Sequence, residues 1–331
     1  MKAIICTQYG GPEVLQLKEV AKPTPKDKEV LVRVRATSVN YGDLIARNFK
    51  DVTPQEFNMP WLLWLLAKAA FGFRNPNVTI LGSEFAGEVE AVGKEVTSFK
   101  KGDQVFGHIG QNMGAYAEYF CMPENGPIAI KPANITDEEA AVVPYGAIMA
   151  LPLLKRANIR SGQKVLIVGA SGSIGSAALQ IAKHLGAQVT GVCGTQRVDF
   201  VKSLGADKVI DYTREDFTKT TETYDLILDV LGKSSFARVQ NMLKPTGILL
   251  FASFKTRHLL DMLRTSRSTG KKVICAIAPG SQEDLLAVKA LIEAGKIKAI
   301  IDGRFPLAQT AEAHRYVETG HKKGYVAISV A

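Results

Sequence analysis

Along residues 29–36 (EVLVRVRA) apolar and charged side chains alternate with a period of two, which predicts a half-buried strand. Residues 85–92 (FAGEVEAV) repeat the alternation, and Gly93 closes it. After the turn Lys101-Gly102-Asp103, residues 104–107 read as a further short strand. Glycine and proline recur at short spacing up to about residue 130, as in a compact, barrel-like β region.

From about Pro132 the texture changes. Thr136 with Asp137, Glu138 and Glu139 marks a helix start, a capping hydroxyl followed by acids that favour the helix dipole. Apolar, β-branched runs then predict strands at 165–168, 188–193, 209–210, 226–230, 247–251 and 272–277. Helical stretches are expected at 176–185 and 198–204, and after Pro279-Gly280 at 281–294. Strands alternating with helices imply α/β architecture, a parallel sheet covered on both faces. A last strand at 325–330 would return to the first domain.

A length of 331 residues suits two domains, and 46% hydrophobic with 22% charged residues excludes a disordered chain. The four cysteines (Cys6, Cys121, Cys193, Cys275) are too scattered for a disulfide scaffold or a closely spaced structural thiolate cluster. The formal charge of +9 raises the question of an anionic partner. No basic stretch interleaved with aromatics points to nucleic acid, so the anion is expected to be small. The N-terminus has too few apolar residues for a signal peptide, and a cytoplasmic protein is expected. The most apolar segment, 59–73 (MPWLLWLLAKAAFGF), is too short to span a bilayer and contains Lys68. It reads as a buried or pocket-lining helix, with a membrane-surface helix as the alternative.

Residues 165–175 (VLIVGASGSIG) combine a strand, a glycine turn and a helix start, the context that makes a glycine motif informative. Ala170 takes the first place of the G-x-G-x-x-G pattern, with Gly172 and Gly175 in the second and third. Gly172 would let the backbone approach a pyrophosphate, and Gly175 would let the helix pack on the strand. Amides of the segment Ser171, Ser173 and Ile174 would face the phosphates. A ligand-free βα turn is the bland alternative. The second strand ends in Gly194, Thr195 and Arg197 with no acid before Asp199, where an NAD site carries one. Arg197 and Thr195 suit a 2′-phosphate, so NADPH is the expected cofactor, unless Arg197 merely opens a solvated helix.

These motifs, with Tyr9-Gly-Gly-Pro-Glu, Ser38-Val-Asn-Tyr-Gly-Asp43, Leu81-Gly-Ser-Glu-Phe-Ala-Gly87, Gly102–Gly107, Leu204–Asp207, Val209–Tyr212 and Asp229–Gly232, stand in one specific order. The chain thereby resembles the medium-chain dehydrogenase/reductase superfamily, in its zinc-lacking quinone oxidoreductase branch. The resemblance spans essentially the whole chain. It implies a Rossmann doubly wound parallel sheet at 128–278, set between two parts of a GroES-like, β-rich catalytic domain at 1–127 and 279–331. It also implies homodimers or larger even assemblies. Zinc-using relatives carry a cysteine near Asn40, a histidine at Ser83 and a cysteine near Val143-Pro144. None is present, so no metal is expected.

Without a metal, hydride transfer to a quinone or an α,β-unsaturated carbonyl needs hydrogen-bond donors for the developing oxyanion. Asn40 and Tyr145, from segments that border the cleft in the family, are the candidates, and Tyr145 could also give the proton. Asp43 would orient Asn40 or the backbone; for Asn40 and Asp43 a plain turn-forming role stands equally open. The resemblance assigns Tyr212 to the adenosine half, and Leu231, Phe251 and Ser253 with their neighbours to the nicotinamide side. Lys322 or Lys323 would replace a lysine the family often has at Tyr325. The expected partner is a small hydrophobic carbonyl or quinone. The alternative function is a low-turnover NADPH-binding redox sensor or structural protein.

Overall fold

The computed structural model describes residues 1–57, 59–267 and 270–330. The chain divides into two compact units. The first comprises Met1–Val52, Leu65–Tyr145 and the segment from Gly280 onward; the second comprises Thr53–Trp64 and Gly146–Pro279.

The first unit is built on a mixed sheet in the order Ile301–Pro306, Tyr325–Ser329, Glu29–Ser38, Glu84–Val92, Gln104–His108 and Ile128–Ile130. Tyr119–Pro123 also pairs with Glu29–Ser38. The alternation read at 29–36 is realised: Val30, Val32, Val34 and Ala36 are fully buried, while Arg33 and Arg35 stay partly exposed. The strand Tyr325–Ser329 pairs antiparallel with Glu29–Ser38, with Ala327 opposite Ser38. A hairpin of Lys2–Ile5 and Gln16–Glu19 and the helix Thr310–Glu318 were not foreseen. Thr136 caps the helix Asp137–Val142 through a reciprocal box with Glu139. Ala140, Ala141 and Val142 of that helix bury against the strands of this sheet. Residues 128–145 therefore pack in the first unit, whereas the sequence reading opened the second domain at 128.

The second unit carries six parallel strands in the order Lys208–Asp211, Gln188–Cys193, Lys164–Val168, Tyr224–Asp229, Leu243–Phe251, Lys272–Cys275. In chain order this is 3-2-1-4-5-6, the doubly wound dinucleotide-binding arrangement. Val165, Leu166 and Ile167 of the first strand are fully buried, because helices cover both faces. The helix after it is Ser173–His184, starting earlier than the apolar pattern alone suggests. Helices Pro144–Ala157, which carries Pro152 internally, and Thr256–Ser266 were not foreseen.

The apolar segment forms the helix Trp61–Phe71, but its apolar side is not buried as expected. Trp61, Leu62 and Leu66 are each more than half exposed, and the residue that turns inward is Lys68. Lys68 Nζ donates to the carbonyls of Phe49 (3.0 Å) and Lys50 (2.7 Å), and Phe71 stacks on Phe49. Satisfying an ammonium on two backbone acceptors fixes which side faces in. No helix among the described residues is long and apolar enough to cross a membrane.

Candidate active site

Two groups of residues singled out from the sequence are each brought together, one in each unit. In the second unit, the strand Lys164–Val168 ends in a turn whose positive-φ residue is Gly169 (φ +87°). The tight-turn glycine is thus Gly169, and Ala170, which the sequence reading put first, is a fully buried neighbour. A Cβ on Gly175 would lie 2.1 Å from the Gly169 carbonyl oxygen, so the helix can approach the strand only with glycine there. Gly146 is similarly constrained by the Ser173 carbonyl at 2.3 Å.

Gly172 differs. It sits at the N-cap of Ser173–His184, with no side-chain cap, and a Cβ on it would meet nothing nearer than 3.5 Å. The protein itself does not demand glycine there; the space it leaves lies before first-turn amides, including those of Ser173, Ile174 and Gly175, that have no intrahelical acceptor. Such an opening fits a dinucleotide pyrophosphate. Ser171 flanks the same turn.

At the end of the second strand, Gly194 lies against Tyr212, whose hydroxyl would be 3.3 Å from an added Cβ and which is 57% exposed. Thr195 does not stand alone. Its hydroxyl donates to Asp211 Oδ2 (2.6 Å) and shares a hydrogen bond with Thr213 (2.6 Å). The hydroxyls of Thr195 and Thr213 hold the Asp211 carboxyl below its usual range. Arg197 lies in the short turn Thr195–Arg197. The sequence reading sought an acid at the end of the second strand and found none. Asp211 closes the third strand and reaches the same place through parallel pairing with Cys193.

On the other side, Asp229 is fully buried and accepts from Leu231 N (3.0 Å), Gly232 N (2.8 Å) and Ser234 N (2.8 Å), as well as from the Ser234 hydroxyl. It locks the loop that presents Leu231. Ser253 follows the neighbouring strand, where Ala252 N bonds the Asp229 carbonyl. Phe251, assigned to the nicotinamide side, is instead fully buried and stacked on His258 at 4.1 Å. It supports the strand end from beneath.

In the first unit, Asn40 caps the helix Tyr41–Arg47. Its Oδ1 accepts from Gly42 N (2.8 Å) and Asp43 N (3.3 Å), and Asp43 Oδ2 accepts from Asn40 N (2.9 Å). Both readings of this pair therefore have a basis, for the capping box also aims the Asn40 amide. Asn40 Nδ2 donates to Ser83 Oγ (2.8 Å) and Glu84 Oε2 (3.2 Å). Glu84, 2% exposed, also accepts from the Ser38 hydroxyl and, at Oε1, from Tyr145 N (2.8 Å). One buried carboxylate thus gathers Ser38 and Asn40 from one segment and Tyr145 from another. In the sequence, Glu84 stands out only as part of the motif Leu81–Gly87.

Burial pushes the Asp43 carboxyl up to about 7; the Asn40 amide opposes the shift and the nearby Glu84 charge adds to it. The hydroxyls of Ser83 and Tyr116 also favour the charged form, yet neither completes a hydrogen bond to Oδ1, which is left without a partner. Glu84 is raised by burial too, but three donors surround it.

Behind Asp43 runs a buried chain. Glu318 bonds Arg47, whose Nη1 donates to His314 Nδ1 (3.1 Å); His314 Nε2 meets Tyr116 Oη (3.0 Å), which donates to the Ser38 carbonyl (3.1 Å). The Arg47 bond fixes the His314 tautomer with its proton on Nε2. Burial and the Arg47 charge press His314 down to about 3, so the ring is neutral.

Tyr145 opens the helix Pro144–Ala157. Burial, then the charges of Glu84 and Asp43, push its phenol well above the usual range. Its ring is 5.7 Å from that of His108, which is 4% exposed, has no partner for Nδ1, and is pressed down to about 4 by burial. His108 escaped the sequence reading, which ended its strand at Gly107; only pairing opposite Glu84 reveals its place. Of the two lysines considered, Lys322 Nζ bonds the Gly324 carbonyl (3.0 Å) and its charge favours ionised Glu84, while Lys323 contributes its backbone amide to Asp302.

The chain matches two family descriptions, the alcohol dehydrogenase GroES-like domain over residues 26–132 and zinc-binding dehydrogenase over residues 204–328. It is 30% identical to the 2-methylene-furan-3-one reductase of Solanum lycopersicum, covering 99% of this chain and 79% of that protein. It is 31% identical to the quinone oxidoreductase of Sus scrofa, covering 95% and 93%. Among solved structures, the quinone oxidoreductase from Coxiella burnetii superposes with a TM-score of 0.83 at 28% identity, covering 100% of this chain and 99% of that one.

Proposed function

The chain belongs to the medium-chain dehydrogenase/reductase superfamily, in its quinone oxidoreductase-like branch, and from that membership we propose an NADPH-dependent, zinc-independent reductase of quinones or α,β-unsaturated carbonyls. The observation that carries the cofactor half is the opening at Gly172 before the helix N-terminus. The relatives' names, an enone reductase and a quinone oxidoreductase, support the acceptor class.

When bound, the reduced nicotinamide supplies the hydride. The chain's own residues hold and orient. Residues 169–175 cradle the pyrophosphate, Tyr212 covers the adenosine, and Asp229 fixes the loop of Leu231. Both hydrogens of the Asn40 amide are engaged, on Ser83 and Glu84, so Asn40 acts as a positioning residue. The Tyr145 hydroxyl is the better oxyanion donor. Its raised pKa keeps it protonated but makes it a poor proton source, so the proton comes from water. Zinc independence rests on the donor set: the hydroxyl of Ser83 and the amide of Asn40 are neutral, bonded to each other, and offer neither thiolate nor imidazole.

Arg197 favours the 2′-phosphate of NADPH, while the Asp211 carboxylate on Thr195 favours a free ribose. Calorimetric titration decides between them. NADPH is expected to bind about tenfold more tightly than NADH, with Arg197→Ala erasing the preference and Asp211→Ala enlarging it. Equal affinities in the native protein would remove NADPH from the proposal. A turnover screen over quinones and 2-alkenals tests the acceptor. Tight cofactor binding without oxidation by any acceptor would favour the second reading, a low-turnover redox sensor, which the engaged Asn40 amide and the weakly acidic Tyr145 also suit.

A further inference from the structure

The helix Trp61–Phe71 presents a continuous apolar stripe to solvent. Trp61 (63% exposed), Leu62 (53%), Leu65 (38%) and Leu66 (59%) recur at helical spacing, and Phe73 (58%) prolongs the stripe beyond the last turn. The helix is anchored by the two hydrogen bonds of Lys68 and by Phe71 on Phe49. Isolated exposed apolar residues need no explanation; a patch of large side chains on one helix does.

We infer that this stripe seats the protein on an anionic lipid surface, lying in the interface plane. The charge of the chain favours that occupant. Residues 57–83 contain no aspartate or glutamate, Arg74 is exposed beside Phe73, and the whole chain carries +9. A basic protein with an unguarded apolar helix is drawn to acidic headgroups and then buries the stripe at the acyl boundary. Tryptophan at the leading end suits the headgroup level. A second copy fits less well, since a stable dimer interface engages about 20–30 residues a side and this stripe offers one short helix face. The inference stands apart from the catalytic proposal, since no step of it depends on turnover.

Both tryptophans of the chain, Trp61 and Trp64, lie on this helix, so tryptophan fluorescence reports on it alone. With the full-length protein, vesicles of phosphatidylcholine and phosphatidylglycerol are expected to blue-shift the emission, and lipids brominated on the acyl chain to quench it. Pure phosphatidylcholine or high salt should weaken the effect. In flotation, the Leu62→Glu/Leu66→Glu variant is expected to lose roughly tenfold or more of the bound fraction at an unchanged melting temperature. If that variant does not fold, quenching of the native protein decides alone. Three results overturn the inference: no spectral shift on anionic vesicles, binding that the double variant retains in full, or self-association that the variant abolishes while vesicles stay unbound.

Discussion

The glycine turn of the second unit and the carboxylate cluster of the first present polar groups in opposite ways. At residues 169–175 the working groups are backbone amides, and the local design consists of side chains left out: Gly169 for its φ, Gly175 for its closeness to Gly169, Gly172 for an opening. Around Glu84 the working groups are side chains, and the design consists of hydrogen bonds supplied from afar. Ser38, Asn40, Tyr145 and, behind them, Tyr116, His314 and Arg47 are brought in by strands and helices far apart along the chain, Asn40 and Arg47 from the two ends of one helix. The first arrangement tolerates no added atom at Gly175; the second tolerates almost no lost one.

Adding atoms should therefore hurt most where backbone meets backbone. Gly175→Val puts a Cβ 2.1 Å from the Gly169 carbonyl, and thermal or denaturant unfolding is expected to show a loss of about 3 kcal/mol or more. A variant of native stability would break the comparison on the glycine side. Removing atoms tests the other side. Asn40→Ala deletes a helix cap and two bonds to Ser83 and Glu84, for an expected loss of about 2 kcal/mol together with a fall in kcat. Unchanged kcat would reduce Asn40 to a turn residue. Gly172→Ala separates ligand from fold. At φ −79° and with 3.5 Å of clearance, alanine should leave the melting temperature as it was while weakening cofactor affinity about tenfold.

A further effect is one of pH. Asp43 titrates near 7 when folded against an ordinary 3.8, so between those values the folded state holds a proton that the unfolded state has released. Its contribution to stability therefore declines as pH rises from about 4 to about 7. His108 and His314, at about 4 and about 3 against an ordinary 6.5, act the other way, reducing stability as pH falls below about 6.5. Asp43→Asn removes only the first slope. Its melting temperature relative to the native protein should climb between pH 4 and 7 and level off above. A constant gap would mean that Asp43 is ionised throughout.

The same contrast governs what could be read from the chain. The glycine turn lies within a dozen consecutive residues, so strand, turn and helix start are visible together, and only the role of Gly169 against Ala170 needed coordinates. The parallel sheet was legible for a similar reason, each strand being a short β-branched run. The cluster was not. Glu84 and His108 face each other only through strand pairing, His314 reaches Tyr116 from the far end of the chain, and Asp211 reaches Thr195 from the next strand. Periodicity carries no information about such meetings. The helix Trp61–Phe71 misled for another reason: its composition says buried, but an inward lysine reverses its faces.

The two units also differ in when the chain can finish them. Every strand of the parallel sheet lies between Lys164 and Cys275, so that sheet can close as soon as this stretch has left the ribosome. The mixed sheet must wait, because Tyr325–Ser329 lies between Ile301–Pro306 and Glu29–Ser38. Until Tyr325–Ser329 is synthesised, the edge of Glu29–Ser38 beside Ser38 has no neighbour there. Synthesis order thus leaves the amino-terminal strand waiting for the carboxyl-terminal one, and a nascent chain stalled near residue 300 would expose that edge to chaperones or to other chains.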